Sequence, residues 1–269
     1  MKLKAPINFK HAIIAITLLS LFLAACATSP TGRRQLLLFP ESQMAEMGVA
    51  AYQQTKKDTA ISKNPQSNSY VSCITNAITA KVEGNTVWEV TVFDSEQVNA
   101  FALPGGKIGV YTGLLDVAKN QDQLAAVIGH EIAHVTARHG NARVSASTVT
   151  QTGLTAVQVI AGGASSEKQQ LLGLLGLGAQ VGILLPYGRG QESEADTIGL
   201  TYMASAGFDP RASVELWKNM AAASGGKAPP ELLSTHPSNS TRINKLTQAI
   251  PDAMIIYNKA QSQGERPNC

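Results

Sequence analysis

Two histidines four residues apart, His130 and His134, most constrain what this chain can fold into. Side chains four apart on an α-helix lie on the same face, so both imidazoles can point a ring nitrogen at one metal ion. Glu131 is offset by about 100° around the same helix, which is too far to complete the chelate easily but close enough to hydrogen-bond a water beside the metal. The segment therefore predicts a rigid helix bearing a metal-dependent hydrolytic site, with Glu131 as general base.

The surrounding sequence favours such a helix. Asn120 is a suitable N-cap, Gln123 completes a capping-box pattern, and Gly140 is a suitable helix terminator. A buried stripe is supplied by Leu124, Val127, Ile128, Ile132 and Val135. Two histidines on this helix could also be core side chains satisfied by hydrogen bonds, and a third ligand would separate the two interpretations.

A third ligand is expected on a second helix downstream, because a catalytic zinc takes three protein ligands and leaves one position for water. Glu192 and Asp196 are four apart and share a face, while Glu194 points elsewhere. We assign Glu192 as the third ligand and expect Asp196 to accept the free N–H of a ligating histidine, His130 in the first instance. Acidic residues also suit the first turn of a helix without any metal, so the assignment depends on the pairing with the two histidines.

Between residues 86 and 112 the period of the apolar residues changes from helical to alternating. Strands are predicted at residues 86–93, 98–103 and 107–112, and Pro104-Gly105-Gly106 is the turn of an antiparallel hairpin between the last two. The chain is therefore predicted to have an α+β fold, mainly helical, with a small sheet of about three strands over the histidine helix. The sheet could simply cover that helix, or its edge could also offer unpaired backbone groups to an extended polypeptide.

The first 25 residues have the pattern of a targeting segment. They contain three lysines and no acidic residue, and residues 12–25 are uncharged, apolar and too short for an ordinary transmembrane helix. The stretch ends in Leu23-Ala24-Ala25-Cys26, which resembles a bacterial lipobox, whose cysteine is acylated. A plain secretory signal with an incidental cysteine is the alternative. Because Ala27 rather than Asp follows the cysteine, the resemblance to lipoproteins implies an outer-membrane location facing the periplasm.

Two further cysteines, Cys73 and Cys269, are then expected in a compartment that permits disulfides. An even pair favours a bridge between them, and two unpaired thiols are the alternative. The predicted organisation is a lipoprotein signal peptide at residues 1–25, a tether at 26–39 and a single domain at 40–269.

Charge argues against nucleic acid as a partner. The chain has 22 basic and 19 acidic residues, and the three lysines within residues 1–25 account for the excess. The remaining chain is balanced in charge and gives no sign of a basic surface for nucleic acid.

Residues 169–188 are uncharged and rich in leucine, but the glycines at 173, 176, 178 and 182 and Gln180 weaken the case for a membrane span. With the more polar residues 144–166, this stretch is predicted to form two soluble helices as a flexible lid or bundle wall beside the cleft, and a segment that dips into the membrane is the alternative.

Four motifs follow one another in order along the chain. They are Asn99-Ala100-Phe101-Ala102-Leu103-Pro104-Gly105-Gly106, then His130-Glu131-x-x-His134, then Glu192-x-x-Ala195-Asp196, and finally Thr235-His236-Pro237 with Arg242. Together they resemble the HtpX-like and CAAX-prenyl-protease-like zinc metallopeptidases, a gluzincin family. The resemblance extends from about residue 40 to residue 250, and it is greatest to the lipoprotein branch of the bacterial envelope, which includes BepA-type proteases, and to the Oma-type proteases.

The resemblance implies one Zn²⁺ per chain, held by His130, His134 and Glu192. It implies that the strand with Asn99, Ala100, Phe101 and Ala102 receives the substrate along its edge. It also implies that His236 and Arg242 face the cleft as candidate stabilisers of the oxyanion or of the substrate carbonyl. His236 could instead occupy the open position of the zinc and block the enzyme.

The implied function is that of a membrane-anchored zinc endopeptidase for protein quality control, which cleaves misfolded or unassembled envelope proteins in the periplasm. Its partners would be unfolded polypeptides and, through a lipid on Cys26, the membrane. The alternative is an assembly or chaperone-like factor that binds such clients and carries a regulatory or structural zinc. Glu131 argues against the alternative, because a structural site needs four protein ligands and no general base.

Overall fold

The computed structural model describes residues 26–160, 187–223 and 240–269, together with Leu232 and His236. The signal peptide predicted at residues 1–25 and the leucine-rich stretch at 169–186 lie outside the described residues. Within the described part of the chain, no helix combines the length and apolar character that a membrane crossing requires.

Five strands and eight helices are present in the described residues. The strands are β1 (Cys26–Thr28), β2 (Arg34–Leu36), β3 (Glu89–Phe93), β4 (Ala100–Leu103) and β5 (Lys107–Tyr111). The helices are α1 (Glu41–Asp58), α2 (Pro65–Thr79), α3 (Thr112–Val117), α4 (Gln121–Thr136), α5 (His139–Ile160), α6 (Arg189–Ser205), α7 (Ala212–Ala223) and α8 (Ser240–Ser262). The mainly helical α+β fold predicted from the sequence is confirmed.

Three strands form a mixed sheet in the order β3-β5-β4. β4 and β5 make the expected antiparallel hairpin, with Ala102 opposite Ile108. Gly105 and Gly106 in its turn have φ values of 82° and 73°, the left-handed conformation that a tight hairpin turn favours. β3 pairs with β5 in parallel, with Val90 opposite Ile108, and all three strands are shorter than the predicted ranges.

Helix α4 lies at the centre of the fold and packs against α2, α6, α7 and β4. Its apolar stripe is fully buried, including Leu124, Ile128 and Ile132. α4 and α6 approach closely where two glycines meet, since a Cβ on Gly129 would lie 2.9 Å from the carbonyl oxygen of Gly199. This close approach brings the acidic first turns of α6 beside the histidines of α4.

The start of α4 agrees with the sequence, but its end does not. Asn120 Oδ1 accepts a hydrogen bond of 2.9 Å from the backbone N–H of Gln123, as an N-cap should. Gly140 is not the terminator, because α4 ends at Thr136 and Gly140 lies inside α5. The break falls at Arg138, whose φ of 58° is in the left-handed region. α5 therefore starts in a new direction at His139.

The segment predicted as a tether contains a two-stranded hairpin, β1–β2, in which Cys26 lies opposite Leu36. Gln35 in this hairpin donates a hydrogen bond of 3.0 Å to the carbonyl oxygen of Ala137, at the end of α4. The hairpin is thus held against the break between α4 and α5.

At the other end of α4, the predicted cysteine pair is joined, since Cys73 of α2 and Cys269 form a disulfide. The backbone N–H of Cys269 also donates a 2.9 Å hydrogen bond to Gln121 Oε1. The last residues are therefore fixed beside the start of α4 instead of forming a free polar tail.

Candidate metal centre

Four buried side chains bring one ligand atom each within 4.8 Å of one another: His130, His134, Glu192 and His236. The Nε2 atoms of His130 and His134 are 3.0 Å apart, and Glu192 oxygens lie 3.3 Å from His134 Nε2 and 3.5 Å from His130 Nε2. Two ligands of a tetrahedral zinc, each about 2.1 Å from the metal, are separated by roughly 3.4 Å. The donor set therefore fits a metal ion of this size and geometry.

Glu131 lies beside this cluster with its side chain almost entirely buried. Its Oε1 atom is 3.4 Å from His236 Nε2 and accepts no hydrogen bond from the described part of the chain. A buried carboxylate oxygen without a donor is costly. The arrangement fits a carboxylate whose partner is a proton of water or substrate.

His130 is held from behind by a buried ion pair. Its Nδ1 atom is 3.0 Å from Asp196 Oδ1. Arg242 donates two hydrogen bonds of 2.7 Å to the same carboxylate and lies 2.6 Å from a Glu192 oxygen. Burial alone would raise the pKa of Asp196, but Arg242 and His130 outweigh it and lower that pKa below its ordinary value. Asp196 is therefore a charged acceptor for the N–H of His130.

Arg242 contacts the ligand cluster itself, since a guanidinium nitrogen lies 3.3 Å from His130 Nε2. Its guanidinium stacks 3.8 Å above the ring of Trp217 and contacts Asp196, Glu192 and the backbone carbonyl of His236. These contacts fit a group that positions the two carboxylates, and the role of Arg242 toward a substrate carbonyl stays a prediction.

His134 is held from behind by a different set of groups. Its Nδ1 atom is 2.9 Å from His139 Nδ1, and His139 Nε2 is 3.1 Å from Glu194 Oε2. Glu194 also accepts hydrogen bonds from Thr31 Oγ1 at 2.7 Å and from Arg33 Nε at 2.8 Å. Both donors belong to the turn of the β1–β2 hairpin.

The pKa values of the two groups behind His134 shift in ways that keep His139 neutral and Glu194 charged. Burial lowers the pKa of His139 to about 4, against the opposing effect of Glu194. Burial also acts to raise the pKa of Glu194, but hydrogen bonds from the hairpin and from His139 outweigh it and bring that pKa to about 2. At neutral pH His139 is therefore an uncharged imidazole and Glu194 a carboxylate.

The sequence reasoning missed three contributors to the site. His139 was not singled out, although it is the third histidine within ten residues. Trp217 beneath Arg242 carried no signal beyond an apolar helix face. Tyr187, which follows a stretch outside the described residues, stacks on His134 with ring centres 3.7 Å apart.

The strand predicted to bind substrate lies beside the metal cluster, because β4 packs on α4. β4 is at an edge of the described sheet, with β5 as its one strand neighbour, and Asn99, Ala100, Phe101 and Ala102 are all buried. A shallow groove between β4, α1 and α5 reaches His134, and its enclosed volume is about 30 Å³. Most of its lining is apolar and includes Met44, Met47, Ala51, Leu103 and Val144.

The fold and the cluster define a class of protein. Two histidines one turn apart on a helix, a carboxylate from a second helix and a buried carboxylate beside them are the parts of a metal-dependent hydrolase with an H-E-x-x-H helix. The model of Peptidase family M48 matches residues 61–250. The chain belongs to peptidase family M48, which confirms the family resemblance seen in the motifs.

Several characterised relatives are similar over most of this chain. The mitochondrial metalloendopeptidase OMA1 of Schizosaccharomyces pombe is 40% identical over 190 residues, which cover 69% of this chain and 54% of the relative. OMA1 of Arabidopsis thaliana is 34% identical over 230 residues, with 85% and 44% covered. The beta-barrel assembly-enhancing protease of Yersinia pestis is 31% identical over 211 residues, with 76% and 43% covered. The chain thus spans about half the length of these relatives.

Proposed function

We propose that this protein is a zinc-dependent endopeptidase that cleaves misfolded or unassembled envelope proteins in the periplasm and is anchored to the outer membrane through Cys26. The observation that carries the catalytic part is Glu131 Oε1, which is buried with no donor in the described ranges and lies beside the three ligands. One relative is named as a metalloendopeptidase and another as a protease, and both names support a polypeptide substrate. The envelope location rests on the lipobox-like sequence and on the name of the Yersinia relative.

The chain's own residues can carry out the proton transfers of peptide hydrolysis. Zinc held by His130, His134 and Glu192 would supply Lewis-acid chemistry, acidifying water and polarising the scissile carbonyl. Glu131 Oε1 takes a proton from water as the water oxygen bonds to the carbonyl carbon. The C–N bond then breaks, and Glu131 passes the proton to the leaving amine.

The substrate would lie along the edge of β4 that has no strand partner among the described residues, beside the metal cluster. A polypeptide added there as an extra strand would be held by backbone hydrogen bonds and would not need a particular sequence. The apolar groove next to His134 would offer contacts to an apolar side chain of the substrate, because Met44, Met47 and Val144 line it. Unfolded and unassembled chains expose such side chains, whereas folded proteins bury them.

The general-base assignment is tested with Glu131→Gln, and Glu46→Gln on the exposed face of α1 makes the same change of charge away from the site. Purified proteins are loaded with zinc, their metal content is measured, and each is incubated with an unfolded β-rich client. We expect one zinc per chain in all proteins and a loss of cleavage by about 10²–10⁴-fold in Glu131→Gln alone. If the metal-loaded Glu131→Gln protein retained proteolysis, Glu131 would not be the general base.

A second function, that of a client-binding factor with a closed zinc site, is favoured by the position of His236. Its Nδ1 atom lies 3.0 Å from Glu192 Oε1 and 3.2 Å from His130 Nε2, where a fourth ligand would be. Structural zinc sites are closed by four protein ligands, whereas catalytic sites keep one position open.

His236→Ala separates these possibilities. On the endopeptidase proposal we expect cleavage of the unfolded client to rise several-fold, because the substitution removes a group from the position that substrate or water needs. A fall in cleavage with unchanged zinc content would assign His236 a role in stabilising the oxyanion. Weaker zinc binding, with no cleavage by either protein, would favour the binding factor.

A further inference from the structure

Two buried polar residues have no part in the mechanism above. His139 is fully buried and Glu194 is 4% exposed. Burying a carboxylate and an imidazole costs free energy unless each finds a partner. Their hydrogen bonds connect them to each other and to His134, so their place in the fold is tied to the metal cluster.

The hydrogen bonds between these groups allow a single arrangement of protons if His134 binds a metal. His134 turns Nε2 toward Glu192, and a nitrogen that ligates a metal carries no proton, so the proton of His134 is on Nδ1. This N–H meets His139 Nδ1 at 2.9 Å, which must then accept. The proton of His139 is therefore on Nε2, which donates to Glu194 Oε2 at 3.1 Å.

We propose that His139 and Glu194 form a relay that positions His134 as a metal ligand, with the neutral imidazole of His139 transmitting the orienting effect of the carboxylate. The proposal rests on the metal-binding part of the proposed function and not on proteolysis. A carboxylate that accepts directly from a ligating histidine is the usual way to fix its tautomer and ring orientation. At His134 this support acts through one intervening imidazole.

Local structure places His139 where the relay needs it. The left-handed conformation of Arg138 turns the chain after α4, so that His139 begins α5 next to the ring of His134. Gln191 Nε2 donates a 3.3 Å hydrogen bond to the carbonyl oxygen of His139, which joins this break to the first turn of α6. Glu194 leaves α6 on the side of the β1–β2 hairpin, where Arg33 offsets its charge.

The relay is tested on the full chain with two substitutions of His139. His139→Leu leaves the N–H of His134 without an acceptor. His139→Gln keeps an acceptor oxygen and a donor nitrogen at about the spacing of the two imidazole nitrogens. Zinc affinity is measured by competition with a chromophoric chelator, and the unfolding of the metal-free proteins is followed in parallel.

We expect His139→Leu to weaken zinc binding by about 10–100-fold and His139→Gln to recover most of that loss. A purely structural role would destabilise the metal-free protein without changing the zinc affinity of the folded state. The relay is wrong if folded His139→Leu binds zinc as tightly as the wild type, or if His139→Gln binds no more tightly than His139→Leu.

A measurement on the wild-type protein tests the relay even if His139→Leu does not fold. In zinc-loaded protein labelled with ¹⁵N-histidine, the ring spectra should show His134 protonated at Nδ1 and His139 protonated at Nε2. The opposite tautomer of His139 would overturn the relay. Neither measurement involves peptide cleavage, so an inactive protein with these tautomers would contradict the endopeptidase proposal and leave the relay standing.

Discussion

The two histidines of α4 point to the same metal cluster but are supported in opposite ways. Behind His130, the carboxylate of Asp196 makes direct contact and is neutralised by Arg242, and both groups are buried. Behind His134, a neutral imidazole comes first, and the carboxylate of Glu194 lies one step further out. Arg33, which neutralises Glu194, has a side chain that is 32% exposed.

Because of this difference, the two ion pairs are expected to contribute differently to the stability of the fold and to zinc binding. The Asp196–Arg242 pair joins α6 to α8 inside the protein, where removing one partner leaves an uncompensated charge. The Glu194–Arg33 pair joins α6 to the β1–β2 hairpin, where the side chain of Arg33 is partly exposed. If Arg33 is lost, the buried Glu194 carboxylate keeps its hydrogen bonds with Thr31 and His139. Loss of the Asp196–Arg242 pair should therefore lower the unfolding free energy, whereas loss of the Glu194–Arg33 pair should mainly lower zinc affinity.

The largest effect is expected from Arg242→Met. The substitution keeps an unbranched side chain over Trp217 but leaves Asp196 and Glu192 without their cation. We expect the metal-free protein to lose about 3–5 kcal/mol of unfolding free energy, measured by urea denaturation. Arg211→Met is the matched control, because Arg211 pairs with Asp209 at an exposed site and its loss should leave the unfolding free energy nearly unchanged. Equal losses in the two variants would contradict the distinction between the supports.

A smaller, directly comparative effect is expected on zinc affinity. Asp196→Asn replaces the carboxylate that contacts His130, and we expect zinc binding to weaken about 10–100-fold. Glu194→Gln makes the same change one imidazole further from the metal, and its amide oxygen can still accept from His139. We therefore expect a loss of less than about 10-fold, measured by the same chelator competition. Equal losses would show that the intervening imidazole does not attenuate the support.

The contact between Asp196 and His130 could be predicted from the sequence, because both residues lie within regular elements, whereas the pairing of Arg242 with Asp196 was not predicted. The four-residue spacing of His130 and His134, and that of Glu192 and Asp196, fixes which side chains share a helix face. The Gly105-Gly106 turn likewise indicated the β4–β5 hairpin. The parallel pairing of β3 with β5 carried no such local signal, since it depends on how the chain crosses between distant strands.

The support of His134 could not be predicted, and the reasons are physical. On a continuous helix His139 would be about 140° away from His134, on a face turned from the metal. A non-glycine residue with positive φ, Arg138, breaks the helix and cancels that rotation, and such residues are uncommon. Glu194 does point away from the ligand cluster, as expected. Its partners Thr31 and Arg33 are more than 160 residues earlier in the chain, beyond the reach of any periodic pattern.

The smallest loss of stability is expected from Tyr52→Phe. This substitution also tests whether a change far from the metal cluster alters zinc affinity. Tyr52 is fully buried under the sheet, and its hydroxyl shares a 2.6 Å hydrogen bond with Thr91 Oγ1. We expect a loss of about 1 kcal/mol of unfolding free energy at pH 8 and no change in zinc affinity, because sites without shared partners act independently. A change in zinc affinity would mean that effects on the metal are not confined to the two supports.

Alkaline pH should reduce the contribution of the Tyr52 hydroxyl to the unfolding free energy. Burial raises the pKa of Tyr52 from its ordinary value of 10.0 to about 12. Below pH 10 the phenol is neutral in both states, so its contribution to stability is complete. Between pH 10 and 12 the unfolded chain releases the proton while the folded protein keeps it, and the wild type loses stability that Tyr52→Phe does not. The difference in unfolding free energy between the two proteins should therefore shrink from pH 8 to pH 11, and parallel curves would contradict the raised pKa.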